Sequence, residues 1–277
     1  MYNAGKSGGE NVAVLGAGHG GMAMAAHLAL MGHKVNLFNR GDERLWGVRS
    51  SGAIEITGEV EGFGELNMAT TSMEEAISGV ELIMVVVPAF GHRWMAEQMA
   101  PYLTDGQIIV LHPGRTLGAL EFRQVLKAAG VTADVIIAEA QTFIYASRAT
   151  GPSQCISSGS SIPSLLHPSG SPDTRSLNGL RRLYPQFVPG DNIFKTSFEK
   201  CVGSVFHPAL CVMNAGWIEN DIDFQFYHEG VTHSVARILE QIDDERVRVA
   251  EALGIWLITA RQWLYMAYST IGDSLNQ

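Results

Sequence analysis

The stretch that most constrains the fold is Gly16-Ala17-Gly18-His19-Gly20-Gly21, near the start of a chain of 277 residues. It follows a short apolar run, Asn11–Leu15, and precedes a helix-forming run of Ala, Met and Leu over residues 22–31. Strand, glycine turn and helix in this order form the fingerprint of a dinucleotide-binding βαβ unit. The first glycine permits the tight turn, the second lets a pyrophosphate approach the backbone, and the third lets the helix pack closely.

The cofactor type is indicated by the end of the second strand. Gly32-His33 ends the predicted helix, Lys34–Phe38 supplies the strand, and Asn39-Arg40 follows it. NAD-specific folds usually place Asp or Glu there, on the ribose 2′-hydroxyl, whereas an arginine can pair with a 2′-phosphate. The sequence therefore predicts NADP, with Arg44 as a candidate second partner, and NAD as the alternative if Arg40 is only a solvated surface residue.

Further strands are predicted over 82–87, 107–111 and 134–138, with helical segments between them, as a parallel sheet requires. After Pro189 the composition changes to long helical patterns such as 231–253. We therefore expect an α/β chain with two domains. Residues 1–189 form a Rossmann-type doubly wound sheet, and residues 190–277 form an all-helical domain.

Two of the predicted strands end in turns that contain prolines. Both turns should lie at the carboxyl edge of the sheet, where doubly wound folds bind ligands. Together with the glycine turn and the end of the second strand, they give the predicted cofactor-binding residues: Gly16, Gly18, His19, Gly20, Gly21, Asn39, Arg40, Val87, Pro88 and Pro113.

Charge and composition exclude several classes of partner. The net charge of −9 and pI near 5.4 would repel a phosphate backbone, so nucleic acid is not expected. Three cysteines without CxxC spacing and nine scattered histidines predict neither a disulfide framework nor a metal site. Because no apolar stretch is long enough to cross a bilayer and the start of the chain is polar, we expect a cytoplasmic protein without membrane contact.

The second half contains a histidine followed by proline inside an apolar run, SVFHPALCVMNAG. Because proline lacks an amide hydrogen, Pro208 should begin a helix or kink one, with His207 just before it. The run is apolar on most faces, which predicts a buried helix with His207 and Asn214 on one face. On the residues alone, His207 is either a satisfied core histidine or a catalytic group.

Several motifs stand along the chain in a recognisable order. Besides the glycine turn, they are Val86-Val87-Pro88-Ala89, Pro113-Gly114 with Gly118-Ala119-Leu120-Glu121-Phe122, Arg148-x-x-Gly151-Pro152, Phe206-His207-Pro208, Asn214-Ala215 and Glu229-Gly230-Val231-Thr232. From about Asn11 to its end the chain thereby resembles the octopine/nopaline (opine) dehydrogenase family. The resemblance implies an NAD(P)H-dependent oxidoreductase that joins the amino group of an L-amino acid to a small 2-oxo acid such as pyruvate.

The resemblance also implies roles for particular residues. His207 would be the catalytic acid/base, held at a helix start by the proline and facing a cleft between the domains. His92, Arg148 and Asn214 would bind the substrates, with Arg148 anchoring a carboxylate. Members of the family continue beyond the position of Gln277 into a segment that completes the site, so the chain resembles a member truncated at its C-terminus, and the uncovered apolar surface predicts a homodimer.

Two alternatives keep the same fold. The first is a 2-oxo acid reductase similar to ketopantoate reductases, with Lys200 as the catalytic residue. The second is a cofactor-binding remnant that is catalytically impaired, because members of the family use a later aspartate to orient the histidine.

Overall fold

The computed structural model divides into two compact units, Met1–Ile193 and Phe194–Gln277. The division falls after Ile193, four residues beyond Pro189, the predicted end of the first domain. The residues that the structure describes are 9–144, 146–158, 164–168, 180–181, 183–185, 187–190, 192–200, 202–268 and 274–275.

The first unit contains two sheets. In chain order, their strands are β1 (Asn11–Leu15), β2 (Lys34–Phe38), β3 (Ala53–Gly58), β4 (Gly62–Glu65), β5 (Met68–Thr70), β6 (Leu82–Val85), β7 (Ile108–Leu111), β8 (Ile136–Ala140), β9 (Ala146–Gly151), β10 (Gln154–Ser158), β11 (Ser164–Pro168) and β12 (Phe187–Pro189). The helices of this unit include α1 (His19–Leu30), α2 (Trp46–Ser51), α3 (Met73–Ile77), α4 (His92–Met99) and α5 (Gly118–Ala128).

The larger sheet has eight strands in the order β12-β11-β8-β7-β6-β1-β2-β5. The six strands from β8 to β5 are mutually parallel, and β11 runs antiparallel beside β8. This arrangement confirms the predicted doubly wound sheet. Along β1, Val12 and Val14 belong to an apolar cluster on one face, and Ala13 and Leu15 belong to a cluster on the other.

The smaller sheet, in the order β4-β3-β10-β9, was not predicted from the sequence. Its residues Ile54, Ile56 and Cys155 share an apolar cluster with Met24 and Leu28 of α1 and with the strands of the larger sheet. Helix α1 therefore lies between two sheets. This double burial explains why the helix is rich in alanine and apolar on almost every face.

The second unit is helical in its described residues, as predicted. Its described helices are α6 (Ile193–Lys200), which begins at the last residue of the first unit, α7 (Val202–Met213), α8 (Ala215–Glu219), α9 (His233–Ala252) and α10 (Ala260–Tyr268). The core of the unit forms where Phe206 and Leu210 of α7 pack in one cluster with Val235 and Leu239 of α9. The Thr232 side chain caps α9 by accepting a hydrogen bond from the amide of Val235.

A buried ion pair on α9 connects three segments of this unit. Arg246 donates to the carboxylate of Asp243, and also to the carbonyl oxygens of Phe198 and Ile258 at 3.0 and 2.7 Å. The second carboxylate oxygen of Asp243 accepts the amide of Ala260 at 2.6 Å. Both charges are thus compensated by the ion pair and by further hydrogen bonds.

Candidate cofactor and catalytic sites

The glycine turn after β1 has a backbone that only glycine fits at two positions. Gly16 has φ +117°, and a Cβ there would overlap the carbonyl oxygen of Val86 at the end of β6. A Cβ on Gly21 would overlap the carbonyl oxygen of Gly16, so the close approach of α1 to the turn requires a glycine. A Cβ on Gly18, by contrast, would meet no atom of the described residues within 4 Å. The turn thus leaves open space beside the residue where the fingerprint places the pyrophosphate.

The N-terminus of α1 lies directly after this open position. Gly18 is the N-cap, and no side chain caps the helix there. Amide hydrogens at an uncapped helix N-terminus, together with the helix dipole, form a site for a phosphate group. The turn and the helix therefore fit the pyrophosphate of a dinucleotide.

Two neighbours enclose this helix start. His19 accepts the amide hydrogen of Ala149 through Nδ1 at 2.8 Å, which ties the first turn of α1 to β9. On the other side, the ring of Phe143 lies 2.8 Å from the place a Cβ on Gly20 would occupy. A larger residue at Gly20 would displace this ring.

At the end of β2, Asn39 and Arg40 point to different tasks. The Asn39 side chain accepts the amide hydrogen of Ala17 at 3.3 Å and donates to the carbonyl of Gly41 at 2.8 Å, so it braces the glycine turn. The exposed guanidinium of Arg40 lies 5.9 Å from the ring centroid of Trp94. Trp94 in turn stacks on Phe38, with ring centroids 6.3 Å apart. Arg40 is thus held by a cation–π contact at the position expected for ribose recognition.

The turns after β6 and β7 lie at the carboxyl edge of the sheet, as predicted. Val87 is half-buried, Pro88 is exposed and Pro113 is buried. The turn after β7 leads into α5 through Arg115 and Leu117, whose φ angles of +61° and +57° are left-handed. Left-handed backbone at residues other than glycine is concentrated at functional sites.

His92 opens α4 next to the turn after β6 and is 1% exposed. The pKa of His92 lies below its ordinary value, chiefly because the ring is buried. The charge of Glu121 and a hydrogen bond with the backbone of Val87 oppose this shift, and the charge of Arg115 adds to it. Its Nε2 is buried and has no hydrogen-bond partner among the residues that the structure describes. His92 is therefore a buried residue of this edge, and the sequence-based role in substrate binding stays a prediction.

Two further buried polar residues lie at the same edge, and sequence reasoning gave the first of them, His112, no role in a site. His112 at the end of β7 is 1% exposed, and within the described part of the chain neither ring nitrogen has a hydrogen-bond partner. Burial lowers its pKa to about 3, so the ring is neutral. Glu139 in β8 is fully buried and accepts the amide hydrogen of Ala119 at 3.0 Å, in the first turn of α5.

Arg148, the predicted carboxylate anchor, lies in β9 of the smaller sheet and is exposed. It pairs with Ile156 of β10, which is 44% exposed on the same face. The neighbouring Ala149 packs towards α1, so Arg148 points from the opposite face of the sheet. The structure therefore places Arg148 on a solvated surface of the first unit.

In the second unit, His207 lies within α7 and is exposed, so the expectation of a buried histidine is wrong. The buried residues of this helix form one stripe, made of Val202, Val205, Phe206 and Leu210. His207 follows Phe206 in the chain and lies outside this stripe. Its Nε2 is 2.7 Å from the hydroxyl of Tyr227, a contact that the sequence did not predict.

The expectation that Pro208 fixes the helix start is also wrong, because α7 begins at Val202 and includes the proline. Pro208 cannot donate the hydrogen bond that a helix residue normally makes, so α7 forgoes one bond. The buried neighbours Phe206 and Leu210 hold the helix in place across this gap.

Asn214, predicted to bind substrate, is 8% exposed at the end of α7. Its amide donates to the carbonyl oxygens of Leu210 and Gly230, at 2.9 and 3.0 Å. Both amide hydrogens are therefore committed to the backbone, which gives Asn214 a structural role in joining α7 to the segment that precedes α9.

Lys200, the residue of the alternative reductase mechanism, ends α6, and its side chain lies outside the described residues. In the part of the chain that the structure describes, no group of three or more His, Cys, Asp or Glu residues could hold a metal ion. Within the same residues, every helix is too short or too polar to span a bilayer.

Two family models match different parts of the chain. Residues 189–277 match the NAD/NADP octopine/nopaline dehydrogenase, alpha-helical domain. Residues 11–113 match the NAD-dependent glycerol-3-phosphate dehydrogenase N-terminus.

Known proteins resemble the chain over both units. Octopine dehydrogenase, solved with NADH and L-arginine, superposes with a TM-score of 0.79 at 20% identity, over 96% of this chain and 72% of that one. Yersinopine dehydrogenase with NADP⁺ gives 0.78 at 15% identity, over 96% and 69% of the two chains. These likenesses establish the fold.

The opine dehydrogenase of Arthrobacter sp. (strain 1C) is 33% identical over 263 residues, which cover 94% of this chain and 72% of the relative. The chain therefore belongs to the octopine/nopaline (opine) dehydrogenase family.

Proposed function

We propose that this NAD(P)-binding oxidoreductase is an opine dehydrogenase that uses NADPH to condense an L-amino acid with a small 2-oxo acid such as pyruvate. The observation that carries the proposal is the 33% identity to an opine dehydrogenase over 94% of the chain. That alignment is too long to be explained by the cofactor-binding unit alone, since the glycerol-3-phosphate dehydrogenase relatives match only about a third of the chain, for example 36%.

The residues of the first unit fit the cofactor. The open space at Gly18 and the uncapped start of α1 would accept the pyrophosphate, and Arg40 would face the ribose. Val87, Pro88 and Pro113 lie in the turns where the nicotinamide is expected in a doubly wound fold. When bound, the reduced cofactor supplies hydride to the carbon that becomes the new C–N centre.

The preference for NADPH is supported by Arg40 and by the side chains around it. The residue that follows β2 is Asn39, and its side chain is used to brace the glycine turn. The first carboxylate after it, Asp42, is paired with Arg49. Arg40 therefore offers a positive charge, held against Trp94, for a 2′-phosphate.

The cofactor preference is tested by dissociation constants for NADPH and NADH. We expect Arg40→Ala to weaken NADPH binding roughly tenfold to hundredfold, as the loss of a charge-assisted hydrogen bond predicts, and to leave NADH binding unchanged. The matched control is Arg181→Ala, at an exposed arginine of the same unit. Tighter binding of NADH than of NADPH by the wild-type protein would contradict the preference.

His207 is the proposed acid/base of the condensation. After the amine adds to the 2-oxo carbon, the carbonyl oxygen must leave as water, and this needs a proton. A histidine can donate that proton and recover it near neutral pH. Exposure leaves the His207 ring accessible to a substrate. Arg148 is the proposed anchor for a substrate carboxylate, and its exposed guanidinium suits that task.

The role of His207 is tested with His207→Asn and, as a control, His233→Asn, at an exposed histidine of α9. Product formation from pyruvate and an L-amino acid pool is followed by mass spectrometry. We expect His207→Asn to lower kcat by about 10²- to 10⁴-fold, the usual contribution of general acid–base catalysis, with NADPH binding unchanged. An unchanged kcat would rule out His207 as the acid/base.

We further propose a homodimer in the cytoplasm. Large apolar side chains of the second unit are exposed, among them Val212 at 73%, Trp256 at 71% and Ile222 at 50%. A second copy could cover such a surface. Light scattering at micromolar concentration should give twice the mass of 30.0 kDa, and a monomer there would contradict the dimer.

A further inference from the structure

We propose that Tyr227 is a positioning residue for His207, an inference that rests on the proposed role of His207 in the condensation. The Tyr227 hydroxyl lies 2.7 Å from Nε2 of His207, although the two residues are 20 positions apart in the chain. This distance is that of a strong hydrogen bond to a hydroxyl. The two rings are tilted by 55°, with centroids 6.1 Å apart, so the contact is made edge to edge through the polar atoms.

The His207 ring is directed towards Tyr227 by its own helix. Atoms Cε1 and Nδ1 lie 3.8 and 3.9 Å from the ideal Cβ position of Gly203, one turn earlier in α7. The Cε1–Nδ1 edge of the ring therefore lies over Gly203, and Nε2 lies more than 4 Å from the same position. Nε2 is the nitrogen that the Tyr227 hydroxyl meets.

The segment that carries Tyr227 is a compact turn between α8 and α9. The amide of Gln225 donates to the Glu229 carboxylate at 2.6 Å, and the amides of His228 and Gly230 donate to the carbonyl of Gln225 at 3.0 and 3.2 Å. The Phe226 ring packs against the Tyr227 ring at 5.1 Å. These contacts limit the positions that the Tyr227 ring can take.

The turn is also attached to the helix that carries His207. Asn214, seven residues after His207, donates to the carbonyl of Gly230 at the end of the turn. A Cβ on Gly230 would come within 3.2 Å of the Asn214 amide and overlap the carbonyl oxygen of Phe226. Asn214 and Gly230 thus fix the distance between α7 and the turn, and with it the distance between His207 and Tyr227.

A hydroxyl partner suits a histidine that must change its protonation state. The hydroxyl can donate to Nε2 of a neutral ring and can accept from Nε2–H of a charged ring. Tyr227 therefore holds the ring in one orientation both before and after proton transfer. A phenolic hydroxyl donates a hydrogen bond more strongly than it accepts one, so the neutral ring should favour the tautomer with its proton on Nδ1 and the Tyr227 hydroxyl donating to Nε2.

The test compares Tyr227→Phe with wild type and with Tyr265→Phe, at another exposed tyrosine of the second unit. The first readout is nitrogen NMR of ring-labelled histidine, which reports the tautomer of His207 without turnover. In the wild type, the two nitrogen shifts of the neutral ring should be well separated. In Tyr227→Phe they should converge, because both tautomers become populated, and in Tyr265→Phe they should not.

The second readout is the pH profile of kcat. We expect Tyr227→Phe to lower kcat about three- to tenfold, as the loss of one hydrogen bond predicts, to shift the limb of the profile assigned to His207, and to change KM for NADPH by less than about twofold. Because Tyr227 is 57% exposed, the variant should fold with the wild-type melting temperature.

The two readouts separate the inference from the proposed function. Unchanged nitrogen shifts in Tyr227→Phe would overturn the positioning role even if the wild type condenses both substrates. Converging shifts with unchanged kcat and pH profile would show that the contact does not serve the reaction, and would overturn it as well. If the shifts converge in Tyr227→Phe but the wild-type protein never turns over, the proposed function is contradicted instead.

Discussion

At the scale of single residues, Gly18 and Gly21 separate cofactor contact from backbone packing. Gly18→Ala should leave the fold intact, because the new Cβ meets open space, but should weaken NADPH binding at least tenfold by occupying the place of the pyrophosphate. Gly21→Ala should lower the melting temperature as well, because its Cβ would overlap the Gly16 carbonyl. Calorimetry of both variants with a cofactor titration checks this. Undisturbed NADPH binding in Gly18→Ala would contradict the assigned turn.

His112 gives the stability of the first unit a defined pH dependence. Its folded pKa is about 3, below the ordinary value of 6.5, so the unfolded chain binds the extra proton between these values. The contribution to stability is complete above pH 6.5 and is lost as the pH falls, by about 1.4 kcal/mol per pH unit. In denaturant titrations, His112→Leu should lose stability less steeply below pH 6.5. Parallel curves for variant and wild type would contradict a neutral buried His112.

The residue scale also shows what the sequence could predict about the site. The glycine turn is local, because its residues contact their own neighbours in the chain, so spacing alone identified it. The contact of His207 with Tyr227 spans 20 residues and depends on an irregular turn. Propensity and periodicity carry no information about such a pair. For the same reason, the sequence did not predict the hydrogen bond from the Asn214 side chain to the Gly230 carbonyl.

At the scale of elements, β1 and β2 were predicted to the residue, because a βαβ unit with a glycine turn leaves little freedom in its boundaries. The start of α7 was mistaken, because burial of the stripe around Phe206 outweighs the hydrogen bond missing at Pro208. The α1 sequence held an unused signal. A helix that is apolar on nearly every face indicates burial on two sides, and hence the second sheet.

Helix α9 offers a matched pair of charge deletions. Arg246→Ala would leave the buried carboxylate of Asp243 without its partner, and should destabilise the second unit by about 3–5 kcal/mol. Arg248, two residues after Arg246, forms an exposed ion pair with Asp244. Arg248→Ala should lower the free energy of unfolding by less than about 1 kcal/mol. Urea unfolding of both variants gives the comparison. Equal losses would show that the Asp243–Arg246 pair does not hold the unit together.

At the scale of the whole molecule, the order of strands and helices predicted a parallel sheet followed by a helical region, and both were found. The smaller sheet was missed because β10 pairs with β3, whose residues lie about a hundred positions earlier, such as Glu55 opposite Gln154. Its strands are short and polar on one face, so they resemble loops in the sequence. Strands so far apart in the chain pair because both pack against α1, and this packing is not visible in the local sequence.

The measurement that tests the account most directly is the initial rate of NADPH oxidation by the full chain. A pool of 2-oxo acids is supplied with and without a pool of L-amino acids, after NADPH binding has been confirmed in the same sample. The account predicts oxidation only when both pools are present. Oxidation by the 2-oxo acids alone, or binding of NADPH with no oxidation in either arm, would contradict an opine dehydrogenase reaction in this chain.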